Sequence, residues 1–159
     1  MACGVVINMG RVFNNWSEVE EVLDALNTFM RPLARPGKGL EDYGDVAIFT
    51  IASGKVVIRM NWGMEGSKYV LERVGIEFSD EYCIGGYCRA VFTINRAYNA
   101  GRRGLIDRGL ARLAGIIEDS GNTTKYVIGG FVISLGWVGD VLGSVSFEAG
   151  CLNPGTAGV

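Results

Sequence analysis

The sequence predicts a single α+β domain over residues 1–159, mainly antiparallel sheet with two main helices. Two segments, 18–30 and 102–119, repeat apolar residues at helical spacing. Three others, near 46–62, 76–94 and 125–147, set apolar runs on either side of glycine-containing turns, the pattern of hairpins. No linker, charge block or internal repeat stands out, and 159 residues suffice to bury one core.

Residues 3–8 open the chain as a short strand. Ser17 is expected to cap the first helix. Glu18, Glu20 and Glu21 lie in its first turn, where carboxylates favour the positive end of the helix dipole. Val19, Val22, Leu23, Leu26, Phe29 and Met30 form its inner stripe, and Pro32 and Pro36 stop it. Residues 35–44 read as a loop. Val46–Ala52 and Lys55–Trp62 flank Ser53-Gly54. A two-residue turn there sets Ile51 against Val56, Phe49 against Ile58 and Ala47 against Met60 on one core face. Ser67 is expected to cap a short helix through Arg73, with Tyr69, Val70 and Val74 inward.

Gly85-Gly86 can supply the positive φ angles of a tight turn, which places Cys83 opposite Cys88 and Ile84 opposite Tyr87. The helix over 102–119 turns Leu105, Ile106, Leu110, Leu113, Ile116 and Ile117 inward. Gly104, Gly109 and Gly115 each weaken it by about 1 kcal/mol relative to alanine, and they leave room for a close neighbour. Lys125–Leu135 and Val141–Phe147 follow as strands. The first is apolar on both faces: Tyr126, Ile128 and Val132 on one, Val127, Phe131, Ile133 and Leu135 on the other. Such a strand is either covered on both sides or placed at a subunit contact. Trp137 stands at the tip 136–139, where an exposed tryptophan would anchor a contact.

Composition narrows the function. Histidine is absent, which excludes Ser-His-Asp and Cys-His mechanisms and removes the commonest metal ligand. No phosphate loop or dinucleotide fingerprint is present: Ser53-Gly-Lys55 lacks the earlier glycine, and Gly37-Lys-Gly39 lacks both a preceding strand and the last glycine. An enzyme is not expected, nor any cofactor or bound metal. The net charge of −2 argues against a polyanion as main partner. No apolar run is long enough to span a membrane, and no basic leader precedes Val5, so cytoplasmic synthesis is expected.

Cys83 and Cys88 are candidate cross-strand disulfide partners, and Cys3 and Cys151 could staple the two ends of the chain. Such bridges suit an extracellular particle, a virion or a thermophile. Four free thiols, or a zinc site converging from three regions, are the alternatives. Arg102, Arg103, Arg108 and Arg112, with Arg96 nearby, are weak nucleic-acid candidates. Asp107, Glu118 and Asp119 dilute their field, so a solvated or ion-paired face is favoured. Glu41, Asp42 and Asp45 share a glycine-flanked loop with oxygen ligands for a hard cation. Asn15 and Asn122 begin glycosylation sequons.

Hydrophobic residues make up 48%, charged residues only 20%, and mean hydropathy is +0.23, so a lone subunit is expected to leave apolar area uncovered. Residues 149–159, with three glycines and a proline, would remain loose unless docked on a neighbouring subunit. The expected function is therefore a structural self-assembling subunit, a homo-oligomeric capsid, tail or filament protein, held by strand or tail contacts. Trp137, Phe131, Leu152 and Val159 are its candidate assembly contacts. The alternative is a small-ligand-binding module or carboxylate-based enzyme, with Arg59, Asn61 and Asp45 as candidate liners.

Overall fold

In the computed structural model, which describes residues 3–34, 40–42 and 44–151, the chain folds as a single α+β domain dominated by two antiparallel sheets. The first sheet contains β1 (Cys3–Phe13), β2 (Leu40–Asp42), β3 (Val46–Ile51), β4 (Val56–Glu65) and β5 (Lys68–Phe78), in the order β1-β5-β4-β3-β2. The second contains β6 (Cys83–Ile84), β7 (Tyr87–Ala97), β8 (Ile116–Asp119), β9 (Thr123–Ile128), β10 (Phe131–Val138) and β11 (Val141–Gly150), in the order β6-β7-β11-β10-β9-β8. Helix α1 (Trp16–Met30) follows β1, and α2 (Ala100–Leu113) follows β7.

Apart from the short β6, the two sheets have the same construction. Each half of the chain runs strand, helix, then a four-strand meander whose last strand returns to pair with the first. Equivalent landmarks recur. Asn15 and Asn99 cap the helices, their side chains accepting the N–H groups of Glu18 at 3.1 Å and Arg102 at 2.8 Å. Asp42 and Asp119 accept the N–H groups of Gly44 and Gly121 at 2.9 and 3.0 Å. Both glycines hold φ +87°, a conformation that a side chain would strain. Trp62 and Trp137 each follow a register shift, and their backbone N–H groups donate to the carbonyls of Asp45 and Asn122, both at 2.7 Å. The architecture is thus duplicated, against the sequence expectation of no repeat.

The halves meet through their helices. Ala25 and Gly109 stand ten residues after their respective capping asparagines and touch one another. A Cβ at Gly109 would collide with Ala25 Cβ and the Glu21 carbonyl. Helix C-termini leave carbonyls without intrahelical donors, and each half caps those of the other. Tyr98 Oη donates to the Thr28 carbonyl at 3.0 Å, and the Arg11 guanidinium donates to the carbonyls of Arg112 and Ala114. Arg112 adds an ion pair to Glu21 at 2.7 Å across the helix pair. One contiguous core joins both halves, from Phe49, Ile58 and Phe78 to Leu110, Phe131 and Phe147.

Several sequence expectations stand. Ile51↔Val56, Phe49↔Ile58, Ala47↔Met60 and Cys83↔Cys88 pair as derived. Others are corrected. Asn15, not Ser17, caps α1, and the Ser17 hydroxyl donates to the Asn15 side chain at 2.6 Å. The helix expected after Ser67 is β5, because Gly66-Ser67 makes a hairpin turn that lays the apolar run beside β4. The hairpin near 76–94 shrinks to β6 against β7, since residues 76–78 belong to the first sheet. The loop over 35–44 contains β2 at 40–42. Helix 102–119 is shorter: α2 ends at Leu113, and Ile116 and Ile117 are exposed in β8. Gly129-Gly130 breaks the strand 125–135. With that turn in place Tyr126, Ile128, Phe131, Ile133 and Leu135 are all buried, so the two-faced apolar strand resolves into one core face.

Candidate functional site

Beside Trp62 the first half opens into a cleft of about 270 Å³, lined by Trp16, Val19, Asp45, Trp62, Met64 and Tyr69 among others. Duplicate topology positions its parts. Regular alternation along β4 puts Trp62 on the same buried face as Val56, Ile58 and Met60, and it packs on Phe13 at the end of β1 with ring centroids 5.3 Å apart. Trp16, at the start of α1, lies 5.4 Å from Tyr69 of β5. Such aromatic pairs contribute about 0.5–1.5 kcal/mol each beyond their buried area. Asp42 and Asp45 bring two carboxylates to the cleft, and no cation among the described residues pairs with either. Trp62 Nε1 is buried with no acceptor. Large apolar walls with a few polar groups are the composition of a small-ligand or side-chain receptor. Of the liners expected from sequence, Asp45 belongs here. Arg59 and Asn61 instead line a separate depression of about 340 Å³ with Val6 and Gly75.

The four cysteines converge. Cys83–Cys88 and Cys3–Cys151 are both at disulfide-bonding distance, the pairing expected from sequence. Cys88 Sγ lies 3.6 Å from Cys151 Sγ, and the sulfurs of Cys3, Cys88 and Cys151 all fall within 4.8 Å of one another. The cluster ties the start of β1 to the end of β11, where the Cys151 N–H donates to the Gly86 carbonyl at 2.6 Å.

The arginines separate. Arg112 pairs with Glu21 and Glu18, and Arg103 lies over the Trp137 ring at 4.3 Å while donating to the Gly139 carbonyl at 2.7 Å. Of the four nucleic-acid candidates, Arg102 and Arg108 are exposed and their side chains make no hydrogen bond or ion pair among the described residues, so no basic stripe forms. Among the assembly candidates, Trp137 is 3% exposed and Phe131 1%, both inside this chain's own core. Trp137 is not at a turn tip: β10 runs on to Val138, and alternation puts the indole on the buried face of Phe131, Ile133 and Leu135, near Tyr98. Leu152 and Val159, with the tail from 152 onward, lie outside the described residues.

Sequence reasoning missed the Trp62 cleft, although a signal existed. Leu40-Glu-Asp-Tyr-Gly-Asp45 and Ile117-Glu-Asp-Ser-Gly-Asn122 are counterparts, each followed after a hairpin by a tryptophan, Trp62 or Trp137. Aligning them would have exposed the duplication. Comparison with protein-family models, with curated proteins and with solved structures finds no match. No helix among the described residues is long and apolar enough to cross a membrane.

Proposed function

We propose that this chain is a structural, self-assembling subunit whose copies join by pairing the outer edges of their sheets. The supporting observation is β8. Among the described residues it is the last strand of its sheet and bonds only to β9. All four of its residues are exposed, with Ile116 at 58% and Ile117 at 48%. A bare edge carrying exposed isoleucines on both faces is a template for another strand. Its counterpart, β2, ends the first sheet. Pairing β8 of one copy with β2 of the next is a head-to-tail contact, which closes into rings or runs on as filaments. A coat, tail or filament role fits this geometry. The paired cysteines suit an oxidising location such as a virion or the cell exterior.

The reading is tested by light scattering on the intact chain and on a Glu118→Pro variant, which removes a ladder donor from β8. Particles larger than one chain that dissociate in the variant, with unchanged circular dichroism, support it. A monomer at all concentrations in the unaltered protein refutes it. Deleting residues 152–159, which keeps Cys151 and its bridge to Cys3, separates the edge contact from the tail exchange suggested by the sequence.

A further inference from the structure

The duplicated architecture contains one filled cleft and one open cleft at equivalent places. Four residues after its capping asparagine, α2 carries Arg103, and at the same position α1 carries Val19. Arg103 lays its guanidinium over Trp137 at 4.3 Å and bonds the Gly139 carbonyl, closing the second half's tryptophan site from within. Val19 cannot reach over Trp62, and the space remains open as the cleft of about 270 Å³. The charges differ at one place: Asp42 has its counterpart in Asp119, but where the first half carries Asp45 the second has the neutral Asn122.

We propose that the Trp62 cleft is a receptor for an arginine side chain supplied by a partner polypeptide. The second half shows the mode of occupancy with its own Arg103. A guanidinium is planar and weakly hydrated, so it stacks on an indole face at small desolvation cost and still presents donors to carboxylates at its rim. A lysine ammonium is a compact, strongly hydrated charge that meets the same wall less well. Trp16 and Tyr69 cover the aliphatic stem, as apolar surface does for long cationic side chains elsewhere. The open volume, the acidic rim and the aromatic wall thus converge on one chemistry. The inference stands whether or not copies of the chain assemble through β8.

The test uses the full chain, with its indole N–H signals followed by NMR, and acetyl-arginine-amide as probe. Saturable perturbation of the Trp62 signal is expected, several-fold weaker with the lysine analogue and absent with the neutral citrulline analogue. Asp45→Asn should weaken the arginine probe by about two- to five-fold, the range of a solvent-accessible ion pair. Val19→Arg should fill the cleft and abolish binding, and Arg103→Val should open a second site reported by Trp137. Equal binding of the citrulline analogue, or no response at Trp62 to any probe, overturns the proposal. An Arg103→Val variant that folds yet binds nothing at Trp137 overturns the equivalence on which it rests. If Val19→Arg does not fold, Asp45→Asn and Arg103→Val still decide the matter.

Discussion

Ala25 and Gly109 occupy the same position in two equivalent helices and touch at the point where the halves of the molecule cross. Gly109 is fully enclosed there, with the Glu21 carbonyl and Ala25 Cβ where its own Cβ would be. The usual helix penalty for glycine, about 1 kcal/mol, is offset by the close packing it allows.

Gly109→Ala is therefore expected to destabilise the fold by about 1–3 kcal/mol, the cost of overpacking a tight contact. Gly104→Ala provides the contrast. A Cβ at Gly104 meets only the flexible end of Arg108, at 3.1 Å, so the gain in helix propensity, up to about 1 kcal/mol, should prevail. Urea unfolding of both variants gives the signs, and a stabilised Gly109→Ala protein would contradict the crossing geometry.

The two cysteine pairs should contribute unequally. Cys3–Cys151 closes a sequence separation of 148 residues, whereas Cys83–Cys88 closes only 5. Chain-entropy reasoning gives about 5 kcal/mol for the long closure and about 2 kcal/mol for the short one. Paired serine replacements at each bridge, followed by thermal unfolding, should reproduce that order.

Proximity of the two pairs predicts exchange. In a Cys83→Ser variant the freed Cys88 thiolate lies 3.6 Å from Cys151 Sγ, and its attack would form Cys88–Cys151 and release the Cys3 thiolate. Peptide mapping under mildly alkaline conditions should find the new linkage together with alkylated Cys3. Persistence of Cys3–Cys151 alone would show the sulfurs are held apart.

Tyr126 ties stability to alkaline pH. Burial first, and then its hydrogen bond to Asp107 at 2.8 Å, raise the Tyr126 hydroxyl well above its ordinary value of 10.0. Because the folded state retains this proton more tightly, its contribution is fully present below about pH 10 and is lost as pH rises towards the folded value. Tyr82, Tyr87 and Tyr98 shift in the same direction. Unfolding free energy should thus decline above about pH 10, less steeply in Tyr126→Phe. An identical slope in the two proteins would remove Tyr126 from the account.

Local pattern was legible in the chain where local physics decides. The registers Ile51↔Val56 and Cys83↔Cys88 formed as derived from alternation about the glycine turns, although the first connection is not the expected two-residue turn but a 3-10 turn at Ala52–Gly54 followed by Lys55. The inner stripe of α1 likewise needs only helical period, and Val22, Leu26 and Phe29 are buried accordingly. The readings that failed depended on distant partners. Residues 68–78 became a strand because β1 and β4 flank them with hydrogen-bonding edges, and Ile116 and Ile117 left the helix to pair with β9.

The sequence by itself determined which segments could be amphipathic, where turns could form, and that no histidine chemistry is possible. Only the tertiary structure decided that the same strand–helix–meander unit is built twice and that the four cysteines meet. It also left one tryptophan covered by Arg103 and its counterpart facing an open cleft. The physical reason is that periodicity specifies a face without specifying what lies against it. That choice is settled by long-range packing, in which residues far apart in sequence compete for the same buried surface.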